Sequence, residues 1–329
     1  MTTTPKLNVL LGVRDEPDLT HTNRYIADLL RRLASDPDRT FLVTAHSLPR
    51  TKKSIPAVAV ITHFMMRDAL EAGAIGSDEL YLLFLHVLYV LVIDDHMDLE
   101  LSPRIDTLAE VKAYADGLVA ACRAGDADHE DPIVRYICRA TQRLRGYPAF
   151  ERYAPIYFHA LNAMMEGMVQ EFKNRDPSAV NLDLYMTYAA HSVGSNLGLT
   201  ASLILLDDPV LYRRLDRLTT TFEIVSSIIR YSNDIRSYER EIAEGKFSSL
   251  ILAAQKFGIA LDEVNFNQQD ILRIIQAMMI SDVYDLRDCV TYLESGGHFE
   301  SVIINTVLGV VCLYEQADFH TLVLNAGND

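Results

Sequence analysis

The sequence contains no tryptophan, only four cysteines in 329 residues, and far fewer positive than negative charges. Cys122, Cys138, Cys289 and Cys312 form no Cys-x-x-Cys pair and fall short of a secreted disulfide framework, which argues against a stapled mini-domain and against structural zinc. They read as reduced thiols. The N-terminal Met-Thr-Thr-Thr-Pro-Lys has no basic stretch leading into an apolar core, so a cytoplasmic protein is expected. Thirty Lys and Arg stand against 45 Asp and Glu, a net charge of −15. Such a chain lacks the basic stripe that nucleic acid or an anionic membrane surface requires. An anionic substrate would need metal cations to neutralise its site locally.

Long hydrophobic runs are also missing. The most apolar stretch, Leu80 to Ile93, stops at two aspartates, short of the ~20 residues of a membrane span. It reads as a buried helix that delivers acids to its end.

What is present is helical. Hydrophobic residues make up 49% of the chain, grouped in Leu-, Ala- and Met-rich segments with 3.6-type spacing and short Pro/Gly breaks. The expected fold class is all-α, with helices over about 22–35, 56–72, 78–100, 106–124, 131–145, 149–173, 181–205, 208–241, 247–257, 268–280 and 298–316. Only 7–13 and 41–45 carry a strand-like pattern. Neither a repeat nor a flexible linker divides the chain, so one helical domain over 1–329 is expected.

Two clusters point to chemistry. Asn233, Ser237 and Glu241 are spaced four and eight apart, which on a helix makes one oxygen-bearing stripe over two turns. Asn and Ser are poor interior helix residues, so their regular recurrence beside a carboxylate suggests a hard-oxygen site suited to Mg²⁺. Upstream, Asp94-Asp-His-Met-Asp98 repeats the spacing, with Asp94 over Val90 and Val87 and Phe84 on roughly the same stripe. Acids at a helix C-terminus oppose the macrodipole by about 0.3–1 kcal/mol each; clustered there, they call for a cation. Arg230 and Arg240 flank the second stripe and could each bind a phosphate oxygen, or be surface charges among Glu239, Glu241 and Glu244. A solvated helix face is the plain alternative for either stripe alone.

Together these residues resemble the bacterial class I terpene synthases, whose motifs are DDxxD and N(D/E)xx(S/T)xxx(D/E). Asp94-Asp-His-Met-Asp98 and Asn233 to Glu241 match both in order and separation. The resemblance implies an α-helical bundle around an apolar cavity, three Mg²⁺ ions and a linear prenyl diphosphate as the small-molecule substrate; a homodimer is the assembly considered. By motif position it implies metal ligation by Asp94, Asp95 and Asp98 and by Asn233, Ser237 and Glu241, with Asp94, Asn233, Ser237 and Glu241 as the catalytic set and Arg240 donating to the diphosphate. Two family features are missing. No Arg or Lys lies between Asp176 and Tyr212, where a diphosphate-sensing Arg is usual and only His191 is basic. Near the C-terminus an Arg-Tyr pair is replaced by Leu313-Tyr314. Diphosphate binding is therefore expected from Arg230, Arg240, Lys246 and Tyr314.

By helical phase the pocket wall is expected to include Phe84, Val87, Met165, His191, Phe222, Ser226 and Ile229, with Met164 and Met168 as further candidates. The absence of Trp and the small residues near the motifs favour a C20 geranylgeranyl substrate over C15 farnesyl. A chain-elongating prenyltransferase would have a second DDxxD, and a di-iron bundle would need Glu-x-x-His pairs; the chain has neither. A noncatalytic helical binding protein is the remaining alternative.

Overall fold

Short polar caps set where the outer helices begin. The computed structural model describes residues 4–12, 23–39, 48–97, 107–174, 180–243, 248–259 and 268–316, together with 319 and 322. Its helices are α1 (Thr4–Leu11), α2 (Arg24–Ser35), α3 (Pro49–Glu71), α4 (Ser77–Asp95), α5 (Leu108–Ala124), α6 (Pro132–Arg145), α7 (Phe150–Lys173), α8 (Leu182–Ser192), α9 (Ser195–Leu206), α10 (Leu215–Ala243), α11 (Ser249–Lys256), α12 (Gln268–Thr291) and α13 (His298–Gln316). No strand occurs among the described residues, so the all-α expectation holds.

Asn23 caps α2 by accepting from the amides of Tyr25 and Ile26, and the helix buries one stripe, Ile26, Leu29 and Leu33. Asp131 caps α6 in the same way, with Pro132 in the first turn and Arg143 and Arg145 in the last. By contrast, α4, α9 and α13 are apolar on nearly every face, and their residues are buried almost throughout. A helix of that kind belongs in the interior. Accordingly α9 packs on both α4 and α13, with α3 joining α4 to α13 and α10 crossing α9 and α13. The length and hydropathy of α13 would suit a membrane span, and the bent α8–α9 pair passes the same test jointly, but 67% of the α13 window is buried inside the fold.

Three expectations change. The stretch expected as extended at 7–13 is helical as far as it is described: Leu7 to Leu11 lie in α1, whose Leu7 is buried where α1 meets α12 and α13. The other strand-like stretch, 41–45, lies outside the described residues. The helix expected at 56–72 begins at Pro49 and runs through Pro56; a proline in a helix interior forfeits one backbone bond, and the two turns before it are held from outside, as described below. The segment 181–205 is two helices, α8 and α9, bent by 43° at Val193-Gly194. Gly194 has φ of +67°, and a Cβ there would sit 2.5 Å from Val90 Cγ1 and 2.9 Å from Met164 Sδ. The bend therefore needs both glycine's backbone freedom and its lack of a side chain. Smaller shifts are a 3₁₀ turn, Leu211–Arg213, ahead of α10, and an α12 that continues to Thr291.

Candidate active site

A cavity of about 430 Å³ opens among α3, α4, α7, α8, α9, α10 and α13. On α4 its lining follows one stripe: Val87, Val90, Leu91 and Asp94 at steps of three and four. On α13 the same logic selects Thr306, Val310 and Tyr314, and on α10 it selects Ile229, Arg230, Asn233, Arg240 and Glu241. Ile61 and Met65 of α3 and Gly198 of α9 add to the apolar wall.

Asp94, Asn233 and Glu241 are thus brought to one cavity. Asn233 Nδ2 donates to Tyr314 Oη at 3.0 Å, tying α10 to α13. Ser237 is buried between the other two members of its stripe; its hydroxyl lies 2.8 Å from the Asn233 carbonyl and donates to Glu241 Oε1 at 2.7 Å. Glu241 Oε2 is buried with no hydrogen-bond partner among the described residues. Burial first, and the nearby Asp234 carboxylate second, push the Glu241 carboxyl up to about 8. A cation at Oε2 would relieve both, and the donors available are hard oxygens.

Among the described residues no three His, Cys, Asp or Glu side chains converge on one point. Around Glu241 the neighbouring donors are Asn and Ser oxygens, which with water and substrate oxygens suit the coordination Mg²⁺ prefers.

The second acid of each motif turns away from the cavity. Asp95, expected as a metal ligand, is buried and accepts from both the amide and the hydroxyl of Thr51 on α3. Asp234 is fully buried and accepts from the Ser249 amide at 2.7 Å, from Tyr185 Oη at 3.1 Å, and lies 2.8 Å from Arg230 Nε. Helical phase explains it: neighbours in sequence differ by ~100° around the axis, so Asp94 and Asn233 face the cavity while their successors face the core.

Arg230 lines the cavity with its guanidinium already engaged. Beyond Asp234 it meets Glu171 Oε1 at 3.0 Å and donates to Tyr185 Oη, and Glu171 also accepts from Ser192 Oγ at 2.7 Å. The cluster joins α10 to α7 and to the end of α8, beside the Val193-Gly194 bend.

The remaining expected residues divide. Arg240, Tyr314, Val87 and Ile229 line the cavity, as does Met168. Asp98 and Lys246 lie outside the described residues. Phe84, Met165, Phe222, Ser226 and His191 are not on the lining. Phe84 is ten residues before Asp94, ~80° off its phase, and packs against Tyr81. Met165 is core. Phe222 meets Phe299, and Ser226 bonds Asn196 and Ser195. His191 is half-buried behind the bend. Sequence reading missed Arg50, Glu171, Asn174, Tyr185 and Tyr188 on the lining. Glu171 had a signal, lying one turn beyond Met168; Arg50 is brought here only by tertiary contact.

A helical fold closed around an apolar cavity, with an aspartate on one helix and an Asn-Ser-Glu stripe on another, defines a class I isoprenoid-type synthase. The chain belongs to the terpene synthase family: the family model for terpene synthase family 2, C-terminal metal binding, matches residues 86–266, more than half of it. Several solved structures share the fold. They include the SVS_A2 protein from ancestral sequence reconstruction (15% identity, TM-score 0.70, covering 93% of this chain and 89% of that one). A linalool/nerolidol synthase from Streptomyces clavuligerus matches at 14% identity and TM-score 0.66, over 92% and 96%. A T181N cucumene synthase matches at 14% and 0.65, over 92% and 100%. No curated protein sequence matches significantly.

Proposed function

We propose that this terpene synthase is a Mg²⁺-dependent cyclase that ionises a linear prenyl diphosphate, geranylgeranyl diphosphate (C20) before farnesyl (C15), and closes the resulting carbocation into a cyclic terpene. The observation that carries the reading is the joint placement of Asp94, Asn233 and Glu241 on one cavity that also has a hydrocarbon wall, with Glu241 Oε2 buried and lacking a hydrogen-bond partner among the described residues. Bound Mg²⁺ would supply positive charge to the departing diphosphate as the allylic C–O bond breaks.

Asp94, with Asp98, is assigned to one end of that metal cluster, and Asn233, Ser237 and Glu241 to the other. Arg240 and Tyr314, both on the lining, are assigned as donors to diphosphate oxygens. Arg230 acts through Glu171, Asp234 and Tyr185 as a positioning residue. The C–O electron pair leaves with diphosphate, and the allyl cation meets the hydrocarbon walls of Val87, Val90, Ile229 and Val310, which keep water away while its own double bonds attack. Loss of a proton, or capture of water, ends the sequence. Small lining residues after the α8–α9 bend, Ser195 and Gly198, support the reading of a longer chain.

Incubation with geranyl, farnesyl and geranylgeranyl diphosphates and Mg²⁺, followed by gas chromatography–mass spectrometry, tests the proposal. A cyclic product from the C20 substrate is expected. A product from farnesyl diphosphate alone moves the assignment to a sesquiterpene cyclase, and none from any substrate overturns it.

A further inference from the structure

Helix α3 begins without a cap of its own. Leu48 stands at the N-cap position with no side-chain acceptor, and Pro49 follows it. The first four amides of a helix lack intrahelical partners, and here the deficiency is met from another helix. Asp95 Oδ2, at the C-terminal end of α4, accepts from the Thr51 amide and, at 2.7 Å, from the Thr51 hydroxyl. The same hydroxyl lies 3.2 Å from the Leu91 carbonyl. Thr51 and Asp95 are both almost fully buried. This joint holds the two turns of α3 that precede Pro56.

One residue from each side of the joint faces the cavity: Arg50 precedes Thr51, and Asp94 precedes Asp95. Consecutive Cα atoms are ~3.8 Å apart, so Arg50 and Asp94 each enter the lining directly beside the joint. The last turn of α4 contains no basic residue, although a cation is what a helix C-terminus loaded with acids favours. Arg50 brings one from α3.

The positions of the other cations show what this one adds. Arg230 and Arg240 are both on α10, and the Arg230 guanidinium is spread over Glu171, Asp234 and Tyr185. A diphosphate lying between Asp94 and Glu241 would meet Arg240 from the α10 side, with no cation from α4 itself. Its α4 side is served by Arg50, whose planar fork suits two phosphate oxygens at once.

We propose that Arg50 is a diphosphate-binding residue of this enzyme, set in place by the Asp95–Thr51 joint, and that it supplies on the α4 side the charge missing from the segment between Asp176 and Tyr212. The inference rests on the active-site reading above and assigns Asp95 a positioning role in place of metal ligation.

The test uses the full chain and inorganic pyrophosphate. In saturating MgCl₂, Arg50→Gln is expected to weaken pyrophosphate binding by about tenfold or more by calorimetry, the scale of one lost charge-assisted hydrogen bond, with unchanged far-ultraviolet circular dichroism. Thr51→Val is expected to weaken it in the same direction, and Thr51→Ser, which keeps the hydroxyl, to restore it. A measurement without substitution stands beside these. Phenylglyoxal modification of Arg50 in the wild type, mapped by peptide mass spectrometry, should be slowed by Mg²⁺ with pyrophosphate, while modification of the exposed Arg31 is not. Unchanged affinity in Arg50→Gln, or unprotected Arg50 in a wild type that binds pyrophosphate, overturns the inference and leaves the active-site reading standing. A wild type that neither binds Mg²⁺ with pyrophosphate nor turns over any prenyl diphosphate overturns that reading, and this inference with it.

Discussion

Asp234 accepts the backbone amide of Ser249 at 2.7 Å, so the residue after the cavity-facing Asn233 fastens the start of α11 to the middle of α10. The same carboxylate balances the buried Arg230. Removing one partner of a buried ion pair leaves the other charge uncompensated, at about 3–5 kcal/mol. Asp234→Asn is therefore expected to lose that much stability in urea denaturation. Asn233→Ala, one residue away, removes a single half-buried bond to Tyr314 and should cost about 0.5–1.5 kcal/mol while abolishing Mg²⁺-dependent turnover. Equal destabilisation by both would refute the division of labour between these neighbours.

Ser237 is the shortest member of its stripe and the one that bonds Glu241. Ser237→Ala keeps the helix, since alanine is the stronger helix former. The expected result is a shift of at least about tenfold in the Mg²⁺ concentration for half-maximal turnover, on the scale seen even for groups behind the first ligands, with circular dichroism unaltered. A wild-type Mg²⁺ dependence in this variant would remove Ser237 from the ion site.

Stability should fall on mild acidification because of His86. This histidine is wholly buried in α4 with Nδ1 2.8 Å from the Leu82 carbonyl, and burial pushes it down to about 4 from the usual 6.5. Between those two values the unfolded chain holds the proton and the folded chain does not, so stability is fully present above pH 6.5 and declines as pH drops toward 4. One such group accounts for up to ~3 kcal/mol. His63, held down to about 4 by burial and by Arg67, adds in the same direction. Thermal unfolding at pH 7.0, 6.0 and 5.0 should show the decline, and His86→Gln should flatten it.

How far the site was legible follows from what helical phase can and cannot encode. The stripes Val87, Val90, Asp94 and Ile229, Asn233 repeat at three and four residues within one helix, so their common face follows from sequence. A phase error accounts for Phe84, which lies ~80° off the α4 stripe; Met165 shares the three-residue spacing of lining residues and is core nonetheless. The fates of Asp95 and Asp234 were less accessible: each is adjacent to a cavity residue, and its partner, Thr51 or Ser249, belongs to a different helix. The bend at Val193-Gly194 had a sequence signal in the Gly194-Ser195-Asn196 cluster, a turn-prone group that the single helix expected over 181–205 runs through. Arg50 had no sequence signal, because only the α3–α4 joint brings it to the cavity.

Gly194 and Gly198 lie four residues apart on the cavity wall and should respond to substitution with opposite signs. At Gly194 the positive φ costs an alanine about 1–2 kcal/mol, and its Cβ would press on Val90 and Met164, adding ~1–3 kcal/mol of overpacking. At Gly198 a Cβ would lie 3.6 Å from Val87 Cγ2 and 3.8 Å from Met65 Cε, ordinary contact distances. There alanine should stabilise α9 by about 0.5–1 kcal/mol through the helix backbone alone. Gly194→Ala is expected to lower the melting temperature and to alter the product mixture, because Val90 must move. Gly198→Ala should raise the melting temperature, and the larger Gly198→Val should cut turnover of the C20 substrate more than of the C15 one by narrowing the wall between Val87 and Met65. An identical loss for both substrates in Gly198→Val would place the distal end of the chain elsewhere in the cavity.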